Sequence, residues 1–270
     1  MKKLLVVLCM AFICRVTRAD TFNQYWYNES VLHAQTSCQT GGDINLPATA
    51  PTKYGYDFIG WEKLTYTPIE YLESTGTQWI DTGYIPDDST NFDIGYMYTE
   101  GVATGVGQVL FGSREETSGS PGFLLSSFSP NASAVLNSAS VPRNGYVRLG
   151  DGYNQATYSL AQSAYVFNTL KCDSYGYVFL NGNSVYNVPL TRNTPPRISL
   201  YMFALHTNTD IKDYAKGRIY YLKLYDNNTL VRHFIPVLDP TGTPCMYDNV
   251  TGQFFYNQGT GQFIAGPVLQ

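Results

Sequence analysis

Charge is scarce in this chain. Lys, Arg, Asp and Glu together make up 14% of its 270 residues, against about 25% in ordinary globular domains. No block of basic residues occurs, and the formal net charge is −4. Affinity for nucleic acid comes largely from Lys and Arg on phosphates, so no nucleic-acid partner is expected. Long apolar runs are missing too. The longest, Leu4 to Cys14, is well short of the roughly 20 residues that span a bilayer. Helix-rich Ala/Glu/Lys/Leu patterning is absent, and the best candidate helix, Thr209 to Ala215, is a turn or two. There is no H-E-x-x-H, no G-x-S-x-G, no P-loop and no C-x-x-C pair to hold zinc.

The first residues are informative in another way. Lys2 and Lys3, an apolar stretch of about a dozen residues and Thr17-Arg18-Ala19 have the order of a secretory leader, with Asp20 as the mature start. Neither Cys9 nor Cys14 follows the small-residue pattern of a lipoprotein cleavage site. Export to the extracellular space or cell surface follows, with no integral membrane segment left after cleavage. The leader holds four positive side chains (Lys2, Lys3, Arg15, Arg18), so its removal takes the net charge from −4 to −8. Cys38, Cys172 and Cys245 remain. Three thiols allow at most one internal bridge, and Cys172 with Cys245 is one option; buried free thiols are the other.

What the chain does have is tyrosine, 23 of them, with 24 glycines and many short apolar stretches between turn residues. Phe92, Ile94, Tyr96 and Tyr98 alternate with Asp93, Gly95 and Met97, the period-two mark of a strand. Val109 to Phe111, Phe123 to Phe128 and Tyr146 to Leu149 are further short candidates, and Ile198 to Leu205 suits a buried central strand. Asn181-Gly182 between two apolar runs is a strong hairpin signal, because a type I′ turn needs positive φ at both central residues. Arg218 to Tyr225 alternates, turns at Asp226-Asn227-Asn228 and returns as Leu230 to Val237; Tyr247 to Phe254 closes a last hairpin. The pattern predicts an all-β chain: an antiparallel two-sheet β-sandwich with a small N-terminal β appendage.

Two phrases sharpen that class. Residues 68–84 read PIEYLESTGTQWIDTGY, with Trp79 and Asp81 alternating against Ile80 and Thr82, and the stretch from Gly217 to Gly261 reads GRIYYLKLYDNNTLVRHFIPVLDP and then MYDNVTGQFFYNQGTG. Together they resemble the opening and closing strands of a concanavalin A-like, laminin-G-like jelly-roll domain of bacterial surface and phage tail proteins. Upstream, Gly41 to Pro47, Ala50 to Lys53 and Gly55-Tyr56-Asp57-Phe58-Ile59-Gly60-Trp61 resemble an internalin B-repeat or Listeria–Bacteroides-type repeat, cut short after its Trp. The boundaries implied are a leader over 1–19, the truncated repeat over 20–63 and the jelly roll over 64–270. The resemblance implies a lectin-like surface module that binds a glycan or another surface polymer. A structural, adhesive spacer of the envelope is the alternative, and a glycosidase or polysaccharide lyase with an atypical site is a further one.

Laminarinase-type glycosidases on this fold keep a Glu-x-Asp-x-x-Glu pair on one strand face, and the sequence has none. Glu70 with Glu73 and Glu115 with Glu116 are expected to be solvated loop acids, and no catalytic residue is predicted. A role in hydrogen-bonded packing is expected for His233, while His206, beside Thr207 and Asn208 at a strand end, is a site candidate. Trp79, Tyr96, Tyr98, Tyr221 and Tyr225 are expected in the core or on a sheet face. Gly150 to Gln155 is a polar, glycine-rich loop that sets acid and amide groups beside a ring. Asp151, Tyr153 and Asn154 from that loop, with Tyr175 and His206, form the predicted ligand-binding set. Calcium orders the rim loops of many such sandwiches; here Asp87-Asp88 and Asp210 with Asp213 are the acids that could serve it, but neither pair matches a dedicated loop, surface turns account for both, and no cofactor is expected.

Overall fold

A computed structural model gives the structure of the chain. It describes residues 3–10, 21–28, 31–39, 47–50, 52, 56–63, 66–100, 107–116, 122–128, 143–150, 155–160, 165–185, 189–190 and 195–269. The chain divides into two units, with the boundary between Thr67 and Pro68.

The first unit holds β1 (Lys3–Met10), β2 (Thr21–Asn28), β3 (Val31–Gln39) and β4 (Tyr56–Lys63) in the order β3-β2-β1-β4. β1 runs antiparallel to β2 and parallel to β4, so this appendage is not purely antiparallel. The run read as a leader is therefore a strand of the full-length chain. A leader is recognised before folding, so the two descriptions do not conflict. Cleavage after Ala19 would remove the strand that lies between β2 and β4. The aromatic side chains of Tyr56, Phe58 and Trp61 lie outside the described residues.

The remaining strands are β5 (Thr67–Pro68), β6 (Leu72–Thr75), β7 (Ile80–Asp81), β8 (Thr90–Tyr98), β9 (Gly107–Arg114), β10 (Gly122–Phe128), β11 (Arg143–Gly150), β12 (Gln155–Leu160), β13 (Asn168–Cys172), β14 (Val178–Leu180), β15 (Asn183–Ser184), β16 (Tyr201–Met202), β17 (Leu205–Thr207), β18 (Ile211–Lys212), β19 (Lys216–Asp226), β20 (Thr229–Leu238), β21 (Pro244–Asp248), β22 (Gln253–Phe255) and β23 (Ile264–Ala265). One sheet runs β15-β14-β13-β8-β19-β20-β21-β22, with β6 on the free stretch of β19 and β23 on β6. The other runs β12-β11-β10-β9-β16-β7, with β17 beside β9 and β18 beside β17. No helix is present among the described residues, and none there is long and apolar enough to cross a membrane.

These sheets pack as a sandwich, and the alternating residues make the filling. Phe92, Ile94 and Tyr96 of β8 are fully buried, as are Ile219, Leu222 and Leu224 of β19. From the facing sheet come Phe111, Phe123, Leu125 and Val147. Phe92 meets Phe111 edge-on at 4.9 Å and Phe123 at 5.9 Å, so one aromatic cluster ties the two layers. A buried Phe contributes about 1.5–3 kcal/mol from apolar area alone. The predicted turns are in place: Asn181 and Gly182 have φ of 50° and 79°, and Asn227 and Asn228 have 47° and 63°.

One expectation is corrected, and one of the two options for the cysteines holds. Leu200 to Leu205 is buried throughout, but it is no single central strand: Phe203 takes a φ of 64° and splits the run into β16 and β17. That break lets its backbone nitrogen donate to Leu110 and its carbonyl accept from Ala215, while its ring packs on Phe263 at 5.1 Å. Cys172 and Cys245 are free buried thiols. They sit on β13 and β21, with β8, β19 and β20 between. Four strand spacings amount to about 19 Å, far beyond the roughly 7 Å between α-carbons that a disulfide can bridge.

Candidate functional site

The phrase from Pro68 to Tyr84 is the place where the chain leaves one sheet and enters the other, since β6 belongs to the first and β7 to the second. Its turn is built around Gln78, which is 2% exposed. The Gln78 Oε1 accepts hydrogen bonds from the Thr75 amide at 2.8 Å and the Ser74 hydroxyl at 3.1 Å, and its amide nitrogen donates to the Thr260 carbonyl at 3.1 Å. The Asn257–Thr260 loop then grips the next residue. The Trp79 amide donates to Asn257 Oδ1 at 3.2 Å, and the Gln258 amide donates to the Trp79 carbonyl at 2.9 Å. Gly259 is required here, because a Cβ would overlap the Thr77 carbonyl oxygen and come within 2.9 Å of Trp79 Cδ1.

β7 then alternates. Ile80 opposes Met202 across the pair with β16, and both are buried in the core. Asp81 opposes Tyr201, which puts these two, with Trp79, on the other face. There three rings stack in a row. Trp79 lies on Tyr201 at 4.5 Å with 18° between planes, and Tyr201 lies on His206 at 3.9 Å with 4° between planes. Tyr201 is the buried middle ring; Trp79 and His206 are half-buried ends. Burial, and then the Asp81 charge, raise the Tyr201 phenol above its ordinary range, partly offset by a hydrogen bond with Ser199. The Ser199 carbonyl lies 2.7 Å from His206 Nδ1. A carbonyl can only accept, so Nδ1 carries the proton and the lone pair of the neutral ring is on Nε2.

Three polar atoms at this ladder have no hydrogen-bond partner among the described residues: the Trp79 indole N–H, His206 Nε2 and Asp81 Oδ2, the other Asp81 oxygen accepting from the Gly83 amide at 2.8 Å. Trp79, Asp81 and His206 are each partly exposed. The arrangement is a stack whose middle ring is covered on both faces and whose half-buried end rings, Trp79 and His206, are edged by one donor and two acceptors.

Of the predicted ligand-binding residues, Asp151, Tyr153 and Asn154 lie outside the described residues. Tyr175 and His206 are not brought together by any sheet: Tyr175 is 78% exposed on the turn between β13 and β14, and His206 is on β17 of the opposite sheet. Trp79 is indeed a sheet-face residue, Tyr96 and Tyr98 are core, and Tyr221 lies against Gly95 on the outer face of its sheet, its hydroxyl donating to Asp93 at 3.0 Å. The acids are less free than expected. Glu73 pairs with Arg218 at 2.6 Å, Glu115 accepts from the Arg197 amide at 2.6 Å, and Glu116 is held by Lys212, Arg114 and Thr209. Acids read as calcium ligands serve turns. Asp87 accepts from Ser89 and Thr90, and Asp210 accepts from the Ile211 amide at 2.7 Å. Asp213 is raised above the usual carboxylate range by burial, against the pull of Arg114 and Lys212. Among the described residues, no three Asp, Glu, His or Cys side chains gather as a metal site would.

Sequence reasoning missed Trp79, Tyr201, Ser199 and Asp81 as site residues. The signal available was the alternation around Ile80, which placed Trp79 and Asp81 on one face; Tyr201 was hidden inside an apolar run.

No protein-family description matches the chain, and no curated protein does. Among solved structures, the Ruminococcus gnavus IT-sialidase CBM40 is similar over 59% of this chain and 89% of its own, with 17% identity and a TM-score of 0.38. A likeness that distant says nothing of a ligand. The sheets themselves define the class, a two-sheet β-sandwich.

Proposed function

We propose that this is an exported, non-catalytic glycan-binding protein of the concanavalin A-like, laminin-G-like kind, and that the Trp79–Tyr201–His206 ladder holds the sugar. The ladder carries the reading. A pyranose has an apolar face that packs on a ring and an edge of hydroxyls that needs donors and acceptors, and the partly exposed end rings Trp79 and His206, with the unpartnered Trp79, His206 and Asp81 atoms, offer both. Stacking within the ladder and the hydrogen bond to Ser199 fix the rings beforehand, which lowers the entropy cost of binding. The non-catalytic reading is supported by the lack of a Glu-x-Asp-x-x-Glu pair and by the engagement of Glu73, Glu115 and Glu116 in other contacts. Export is supported by the leader pattern; N-terminal sequencing of secreted protein should begin at Asp20.

Calorimetry of the full chain against glycans that score on an array tests the site. Trp79→Ala and His206→Ala should each weaken binding about tenfold, the loss of roughly 1.4 kcal/mol of stacking and hydrogen bonding. Tyr175→Ala, on the other sheet, should leave it unchanged. Failure to bind any glycan at millimolar concentration would sink the proposal, and binding indifferent to both ladder variants would move the site elsewhere.

A further inference from the structure

We infer that the ladder takes neutral, hydroxyl-rich sugars and rejects sugars that carry a carboxylate, sulfate or phosphate. This rests on the glycan-binding reading of the same site. The three unpartnered atoms of the ladder are unevenly matched: Asp81 Oδ2 and His206 Nε2 accept and the Trp79 indole N–H donates, while the Tyr201 hydroxyl is engaged with Ser199. Hydroxyl groups can donate to both acceptors, whereas an anionic group only accepts and brings its charge toward Asp81. Asp81 makes no ion pair among the described residues, so its charge is not neutralised there, and Tyr201 across the strand pair already feels it. The neighbouring cations on the strands beside the ladder are committed elsewhere. Arg114, opposite Thr207 on β9, and Lys212, opposite Leu205 on β18, both bind Glu116. Arg197 is the exception; it is exposed two residues before Ser199, and only its backbone amide is engaged, with Glu115. The net negative charge of the chain works in the same direction at long range.

Two like charges about 6 Å apart near a protein surface weaken binding on the order of a hundredfold without salt, and screening at physiological ionic strength leaves roughly tenfold. The test is calorimetry of the full chain with matched pairs, a neutral oligogalactoside and the oligogalacturonide of equal length, at low and at 0.5 M salt (about a 4 Å screening length). Wild type, Asp81→Asn, Arg197→Ala and Trp79→Ala are compared. Asn keeps the oxygen that accepts from Gly83, so the turn is preserved. The expected result is a preference of about tenfold for the neutral ligand, narrowed by salt and largely abolished by Asp81→Asn through improved binding of the acidic one. Tighter or equal binding of the acidic ligand by wild type, lost on Arg197→Ala, overturns the inference and leaves the glycan reading standing. Binding of neither ligand, with no other glycan retained, overturns the glycan reading itself, whereas binding untouched by Trp79→Ala moves the site off the ladder and overturns the inference with it.

Discussion

Gln78→Met removes a polar node while keeping an unbranched side chain of similar size, and its consequences can be worked out from the geometry. Gln78 is almost wholly buried and its amide group joins three segments. Without it the Thr75 amide loses an acceptor at 2.8 Å, while the exposed Thr260 carbonyl loses a donor at 3.1 Å and keeps the Thr77 hydroxyl at 2.9 Å. The Ser74 hydroxyl, itself fully buried, keeps only a 3.4 Å contact to the Gln78 carbonyl as an acceptor. An orphaned buried group costs about 1–3 kcal/mol. The methionine returns part of that through apolar burial, of order 1 kcal/mol. A net loss of about 2–3 kcal/mol is expected, which for a unit of this size lowers Tm by about 4–12 °C. Urea unfolding with an unchanged m-value and thermal unfolding by circular dichroism measure it. The same variant should weaken glycan binding, because Thr260 belongs to the loop that grips Trp79. A loss below about 0.5 kcal/mol, within the range of an ordinary surface change, would show that the Gln78 network does not hold the crossover and would refute the reasoning.

Other outcomes follow from single sites. Burial, reinforced by the Lys223 charge and opposed by Asp248, holds His233 down to about 4. The unfolded chain takes up a proton below about 6.5 that the folded one refuses, so stability is full above that pH and should fall by about 3 kcal/mol as pH drops to 4; His233→Gln should flatten that part of a pH series of urea midpoints, and an equally steep fall in the variant would count against it. Gly259→Ala should cost about 3 kcal/mol or more, because its new methyl overlaps backbone at Thr77 rather than a movable side chain; a variant with wild-type Tm and binding would contradict the close packing on Trp79. Cys245, whose thiol burial raises to about 12, and Cys172 should be inert to a thiol reagent until the chain unfolds, with a Tm indifferent to reductant; rapid native labelling of either would show the sheet is open there.

The β-sandwich was legible because its determinants are local. The spacing of Phe92, Ile94, Tyr96 and Tyr98 fixes which face is buried, and Asn181-Gly182 fixes a turn, whatever the rest of the chain does. Pairing across the sheet was not legible. Nothing in the sequence near Cys172 or Cys245 says that three strands lie between them, and nothing near Ile198 to Leu205 says that Phe203 will adopt a left-handed φ. Both facts come from partners far away in sequence: strand order in the first case, and Leu110, Ala215 and Phe263 in the second.

The site shows the same division in a sharper form. Trp79 and His206 are 127 positions apart, and the residue that joins them, Tyr201, sits in a run that reads as pure core. Its neighbours Leu200 and Met202 are indeed core, so hydrophobicity alone cannot separate them. What turns Tyr201 outward is its register with Asp81: because Met202 must meet Ile80 inside, Tyr201 must meet Asp81 outside. The wording of residues 68–84 therefore does two jobs at once. Gln78 anchors the passage between sheets, and the alternation that follows decides on which side an aromatic and a carboxylate emerge. A one-residue slip of β7 against β16 would bury Asp81 and expose Ile80, at a cost that a marginally stable fold cannot absorb. That coupling makes the ladder a product of the fold's own register, so the ladder and a stabilising crossover are specified by the same few residues.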